Sequence, residues 1–448
     1  MADVRPLSGL RYAATDDLAA LVTPPYDVIS PEAQAAFYAR HAHNFIRLEL
    51  GREDPADTDL DNRYTRAAAT FAEWRLTGLL RQDSPAFYLY EQRFASGDGT
   101  HTRVSLLARA RLEPWDAGVI LPHERTLSKP KDDRLKLLRA TAANLSPILS
   151  MYDDPDHELR SLLTTARASA PATAFADDLG DEHRLWMIAD ALHTSRIVAF
   201  FASRQLYIAD GHHRYETALT YRDEVHELRR ELPEHDAVRF VLMSLVAIEE
   251  PGLVVLPTHR LLRDIDPDRL SGLDDTLAPW FTSEPLDSPE PDAWLARLTE
   301  AGATTSGASA GTAAFVLVRP AGATLLRLRP EGQEAVRAGA PSGDVDDEIG
   351  RSDAWRALDV VILHELVLGR ALGIASAAIR AGKHVTYTRD AAEGAAAVRA
   401  HRADLAALIN PTPPAGVRDV ARAGDRMPQK STYFYPKLIS GLVINPLW

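Results

Sequence analysis

One stretch of the chain ties backbone rules and side-chain chemistry together: Ala209-Asp210-Gly211-His212-His213-Arg214-Tyr215-Glu216-Thr217-Ala218-Leu219. An apolar, β-prone run from Phe200 to Ile208, broken by a polar turn at Ala202 to Gln205, precedes it, and a helical pattern follows. The segment reads as strand, glycine turn and helix start. Glycine lets the backbone turn tightly and approach a ligand. The first N–H groups of the helix present positive potential to an anion. Two histidines, an arginine and an aspartate within five positions add proton-transfer, phosphate-binding and metal-binding capacity, so the expected ligand is a phosphate. Helix capping alone does not call for such a set.

At 448 residues the chain exceeds one ordinary domain. Apolar residues at 46% and charged residues at 25% fit a soluble globular protein. No apolar run approaches the roughly 20 residues that span a bilayer, and Met1 to Pro6 lacks the layout of a secretory signal, so the expected location is cytoplasmic, with no membrane partner. Cysteine is absent, which excludes disulfides, thiolate nucleophiles and cysteine zinc sites. Any nucleophile must be oxygen or nitrogen. The formal charge of −13 opposes non-specific binding to nucleic acid. The oligomeric state is not readable from sequence.

Strand and helix patterns are mixed along the chain, giving an α/β (α+β) class. In the Pro24-Pro25-Tyr26-Asp27 loop region, Ser30 can cap a helix beginning at Pro31. Asn44 to Leu50 alternates as a half-buried strand does. Helices are expected over Asp61 to Leu80 and through the basic stretch Lys129 to Arg139, a hairpin over 86–94 and 101–112, and strands at Ile148 to Tyr152 and Phe240 to Ile248. The Pro-Pro-Tyr-Asp loop is scaffold unless it faces a site. Lys129, Lys131, Arg134, Lys136 and Arg139 give that helix a basic side suited to polyphosphate or to a solvated face, and Asp132 and Asp133 among them favour the solvated face. Ala301 to Gly311 resembles a flexible connection. The expected regions are 1–100, an α/β region; 101–262, a core with an insertion, which the resemblance given below makes a ParB/sulfiredoxin-like catalytic core; and 263–448, an α/β region contributing Pro428 to Lys437.

Outside the glycine turn, Pro122-His123-Glu124-Arg125-Thr126 follows an apolar strand, and Glu124 could act as general base with His123 or Arg125 orienting it. His259-Arg260 offers an anion contact or a satisfied turn histidine. Gln429-Lys430-Ser431-Thr432 lacks the glycines of a P-loop and is followed by the strand-like Tyr433-Phe434-Tyr435. Lys430, Ser431 and Thr432 could still touch a phosphate or carboxylate. A zinc hydrolase pair at helical spacing and a G-x-S-x-G elbow are both missing.

Six strings in order, Pro25 to Ser30, Asn44 to Leu48, Pro122 to Thr126, Asp210 to Tyr215, Leu256 to Arg260 and Pro428 to Phe434, resemble the bacterial and archaeal family called domain-of-unknown-function ten-fifteen. The order His-Glu, then Asp-Gly-His-His-Arg, also resembles the core of the ParB and sulfiredoxin superfamily, some of whose members are free-serine kinases. That resemblance implies a ParB/sulfiredoxin-like core with N-terminal and C-terminal elaborations. It implies that Gly211, His212, His213 and Arg214 hold nucleotide phosphates, that Asp210 assists Mg2+ or the hydroxyl, and that Glu124 is the base, with His123 beside it. The implied activity is a kinase that uses ATP or ADP to phosphorylate a small hydroxyl substrate, free L-serine, with Arg260 or Lys430 as candidates for its carboxylate. For Glu124 to meet Asp210 a long insertion must fold away. The competing classes are a ParB-like nucleotide switch or nuclease acting with DNA, and a non-catalytic nucleotide sensor.

Overall fold

The computed structural model describes residues 1–14, 16–97, 99–126, 128–303, 313–339 and 351–448. Its contacts divide the chain into two units, Met1–Val254 with Pro436–Trp448, and Val255–Tyr435. This differs from the three regions read from sequence. The 100/101 boundary falls inside the strand Gly99–Arg111, half of a continuous hairpin, and the last residues rejoin the first unit.

The first unit is built on a nine-stranded mixed sheet. Its strands are β1 (Val4–Arg5), β2 (Phe87–Ser96), β3 (Gly99–Arg111), β4 (Ile120–Leu121), β5 (Ile148–Tyr152), β6 (Thr173–Ala176), β7 (Glu182–Ile188), β8 (Leu206–Asp210) and β9 (Phe240–Ala247). They lie in the order β4-β8-β5-β9-β3-β2-β7-β6, with β1 paired to β3. The expected hairpin is β2 with β3, in register from Tyr88↔Leu107 to Ser96↔Gly99. Every residue of β9 is buried, as suits an interior strand lying parallel to β5 and antiparallel to β3. One face carries Leu106, Ala108, Met243 and Ile208 against Leu159, Ile197, Phe201, Tyr215 and Ala218 from helices over Glu158–Ala166, Ala191–Phe201 and His212–Arg229. Each such large side chain contributes roughly 1.5–3 kcal/mol by leaving water.

Local signals set most helix boundaries. Ser30 accepts the Ala33 N–H at 3.2 Å at the start of α1 (Pro31–Arg40), and Asn62 forms a capping box with Thr65 before the helix Arg63–Leu76. The strand expected at Asn44 to Leu50 is instead one helical turn, α2 (Ile46–Glu49). The Asn44 side chain accepts the Ile46 N–H at 2.9 Å and donates to the Ala20 carbonyl at 2.6 Å. The fully buried set is Asn44, Phe45, Ile46, Leu48 and Glu49, which is not a strand's alternation.

The C-terminal segment crosses the other face of this sheet. Arg103 donates to the Gln92 side chain and, at 2.7 Å, to the Pro436 carbonyl, while Gln92 donates to the Lys437 carbonyl at 3.3 Å. Beyond it Ser440 bridges Thr23, Ile444 bridges Leu10, and Asn445 pairs with Asn144.

The second unit holds a six-stranded sheet in the order Phe281–Leu286, Gly322–Leu328, Ala314–Arg319, Leu405–Ile409, His259–Leu262, Val385–Thr388, with every pairing antiparallel. Its core includes Trp294, Leu298, Val316, Leu325, Val398 and Leu408. The connection expected at Ala301 to Gly311 lies outside the described residues from 304 onward. Among the described residues no helix is long and apolar enough to cross a membrane.

Gly441 has φ +90°, and a Cβ there would stand 2.6 Å from the Phe45 ring. Gly441→Ala should therefore lower stability by about 2 kcal/mol, read as a reduced urea midpoint at unchanged m-value.

Candidate active site

β8 ends at Asp210, and Gly211 turns the chain into α7, the name used here for the helix His212–Arg229; α3, α4, α5 and α6 are Arg63–Leu76, Ser128–Thr141, Glu158–Ala166 and Ala191–Phe201. Gly211 is required twice. Its φ is +98°, and a Cβ would stand 2.9 Å from the Arg214 guanidinium, which folds back over it. No side chain caps α7, so its N-terminal dipole is directed at the turn. The β5–β8 register shifts between Ile208 and Asp210, an irregularity that re-aims the aspartate.

Asp210 sits between two cations. Lys437 Nζ lies 3.1 Å from its Oδ2, and Arg214 Nη2 lies 3.7 Å from the same oxygen. Burial pushes this carboxyl up, but Lys437, Arg214 and His212 outweigh it and hold Asp210 at about 2. Arg214 is itself anchored, donating to the Pro147 carbonyl at 2.6 Å and to Ser146 Oγ at 3.3 Å. The attraction of Asp210 and Asp27 keeps its guanidinium above the usual arginine value despite burial, which works to lower it.

The His-Glu segment arrives beside this turn because β4 and β8 pair in parallel, Ile120 with Leu206 and Leu121 with Tyr207. The insertion between them folds as α4, β5, α5, β6, β7 and α6 and leaves both strand ends together. His123 is buried, with Nδ1 2.7 Å from the Ile208 carbonyl. A carbonyl only accepts, so Nδ1 carries the proton and, in the neutral ring, Nε2 holds the lone pair. The His123 N–H donates to His212 Nε2 at 3.3 Å, and the two rings meet edge-on at 4.7 Å. Glu124 is half-buried in the same segment. Its far end is tied to α7 by Glu216, which accepts from Thr126 Oγ1 at 2.6 Å and Lys131 Nζ at 2.9 Å. Burial lowers the His213 pKa, Glu216 opposes this, and Lys131 and Arg214 add to it.

The Pro-Pro-Tyr-Asp loop proves to face this site. The Arg134 guanidinium lies 4.0 Å over the Tyr26 ring and donates to the Glu49 carbonyl at 3.0 Å. Burial raises the Tyr26 hydroxyl to about 12 against the pull of Arg214 and Arg134. The basic stretch read as a solvated face is thus divided: Arg139 pairs with Glu224 at the surface, whereas Arg134 is buried and held by Asp133 at 2.5 Å. Glu49 and Lys437 join the site without having been singled out by sequence, whereas Tyr26 belongs to the loop read as scaffold unless it faces a site and Arg134 to the basic helix side read as solvated. The two acidic neighbours that made Arg134 look solvated include its own partner.

Arg260, Lys430, Ser431 and Thr432 belong to the second unit. Arg260 is buried, donates to the Thr258 carbonyl and, at 3.3 Å, to the Lys430 carbonyl, and lies 5.6 Å from the Tyr387 ring. Burial lowers its pKa to about 10, with Tyr387 opposing. Lys430 is exposed at φ +56°, and Phe434–Tyr435 is a strand, which agrees with the exclusion of a P-loop. Neighbouring His259 is a buried strand residue whose Nδ1 accepts the Ile409 N–H at 3.2 Å. Among the described residues no three His, Asp or Glu side chains gather as a metal cage.

A search of curated proteins found no match to this chain. Solved structures similar to it include a conserved hypothetical protein from Pyrococcus furiosus, at 10% identity and TM-score 0.31 over 74% of this chain and 90% of that one. A free serine kinase in complex with AMP aligns at 10% identity and TM-score 0.31 over 74% and 86%, and SbnI with a C-terminal truncation from Staphylococcus aureus at 10% and 0.35 over 76% and 87%. The sequence pattern of the family described as "Protein of unknown function (DUF1015)" matches residues 4–361, and the chain belongs to that family.

Proposed function

We propose that this protein is a nucleotide- and magnesium-dependent phosphotransferase acting on a small hydroxyl substrate, with free L-serine as acceptor and O-phosphoserine as product. The observation that carries the reading is the ionised Asp210 held between Lys437 and Arg214 at an uncapped helix start, with the His123-Glu124 segment alongside. Phosphoryl transfer depends chiefly on positioning and on charge around the transferred group. This arrangement supplies both.

In this reading Gly211, His212, His213 and Arg214 hold the donor phosphates, through helix N–H groups and a charge-assisted guanidinium contact. A divalent cation, when bound, neutralises the donor's phosphate charge. Asp210 would hold it together with phosphate oxygens, the usual one-carboxylate mode for magnesium. Glu124 takes the proton of the acceptor hydroxyl as that oxygen bonds to the terminal phosphorus of ATP or ADP. The bond from that phosphorus to the bridging oxygen breaks, and ADP or AMP leaves. His123, fixed by the Ile208 carbonyl, orients Glu124.

Incubation with ATP or ADP, Mg2+ and L-serine should yield O-phosphoserine by 31P NMR; no product from serine or any other hydroxyl metabolite would overturn the assignment. Arg214→Ala should weaken nucleotide binding about tenfold or more, whereas Asp210→Asn and Glu124→Gln should lower kcat by roughly 100-fold or more with smaller effects on nucleotide KM. Unchanged turnover in Glu124→Gln would remove it as base.

The pH dependence tests Lys437. Asp210 is ionised at all pH values well above 2, and its stabilising contribution is present above the ordinary carboxyl range and lost as pH falls through about 2. Lys437→Met removes the largest opposing charge while burial remains, so the Asp210 pKa should rise. The acid limb of the kcat profile should then move toward neutrality by about one unit or more. An unmoved acid limb would separate Asp210 ionisation from turnover.

A further inference from the structure

A cavity of about 360 Å³, within the range of small-molecule pockets, opens in the first unit away from the Asp210 turn. Arg160, Leu163, Thr164 and Arg167 recur at helical spacing along α5 and just beyond it, and form one wall. Val104 of β3 faces them, and Tyr152 and Ala247, the last residues of β5 and β9, lie below. Asp210 pairs with Leu149, whereas Tyr152 stands about 10 Å further along β5, so the cavity and the turn occupy different ends of that strand.

The wall is cationic. Arg160 is exposed, and its guanidinium has no ion-pair or hydrogen-bond partner among the described residues. Arg167 donates to the buried Glu91, which also pairs with Arg184 at 3.1 Å; Arg184 meets Glu182 at 2.8 Å, and Glu182 meets Arg93 at 2.7 Å. Three arginines thus share two glutamates, and one positive charge is left over. Tyr152 is 3% exposed, and its hydroxyl has no hydrogen-bond partner among the described residues. The acidic residue of the wall is Glu250, whose carboxyl burial pushes up, against Arg160, the Val104 and Gly252 N–H groups and Arg167. Such a group carries its charge less readily than a surface carboxylate and opposes an anion less.

We infer that this cavity binds a small organic oxyanion, a phosphate ester or carboxylate, whose head is held by Arg160, Arg167 and the Tyr152 hydroxyl. Guanidinium groups suit such a head because they give it paired, charge-assisted hydrogen bonds. Val104, Leu163 and Ala247 supply an apolar surface for its carbon body. The site is additional to the Asp210 turn and stands whether or not that turn transfers phosphate.

Calorimetric titration of the full chain with glycerol 3-phosphate, glycerate and uncharged glycerol tests this. At least one of the two anions should bind tenfold or more tightly than glycerol, and the tighter of them identifies the head. Arg160→Gln, a change at an exposed position that leaves the fold intact, should weaken that anion at least fivefold, and Arg160→Lys should restore part of the loss. Tyr152→Phe keeps every charge and the ring packing, and should weaken it at least threefold. An anion bound at the Asp210 turn alone would be insensitive to both changes. No preference for either anion over glycerol, or affinity within twofold of wild type in Arg160→Gln or in Tyr152→Phe, would each overturn the inference.

Discussion

The contact between Asp210 and Lys437 organises the first unit's chemistry. An aspartate largely withdrawn from water at the end of a strand drifts toward its neutral form unless opposite charge is brought to it. Arg214 supplies part of that charge from the first turn of α7, but at 3.7 Å and with its best hydrogen bonds directed at Pro147 and Ser146. Lys437 supplies the rest from the C-terminal segment, which the Arg103 and Gln92 side chains fasten to the sheet by its carbonyl groups. The buried arginine of a β-strand and its glutamine neighbour thus position a lysine through main-chain oxygens.

The second organising constraint is the short parallel pairing of Ile120–Leu121 with Leu206–Tyr207. Parallel neighbours end at the same edge of a sheet, so the two motifs leaving them share a location however long the connection. The insertion contributes strands to the same sheet, and the site costs no separate scaffold. Cross-links such as Thr126 to Glu216 and Tyr26 to Glu49 then join the loops that surround it.

The glycine turn was legible because everything that determines it is local: a strand, a residue tolerant of positive φ, and a helix start. The hairpin, the capped helices and the mixed α/β class were legible for the same reason. The Asn44 to Leu50 segment misled because a run of one turn satisfies both periodicities, and the Asn44 side chain decided between them through contacts with Ile46 and Ala20. That decision buried Glu49. A strand reading gives no reason to look at it. Arg134 was hidden by charge counting, since an adjacent aspartate reads as a solvating neighbour until the fold shows it as a clamp. Lys437 follows a strand-like run with no signal of its own, and its partner lies on the far side of the whole second unit in sequence.

That last separation has a bearing on when the site exists. The glycine turn, the His123-Glu124 segment and the arginine anchor leave the ribosome before any of Val255–Tyr435, whereas the lysine that stabilises the Asp210 charge emerges after all of it. Until then a newly made chain lacks the full charge set around Asp210. Synthesis of the second unit therefore precedes completion of the first unit's candidate site, and any polypeptide stopped before Pro436 carries the glycine turn without its lysine.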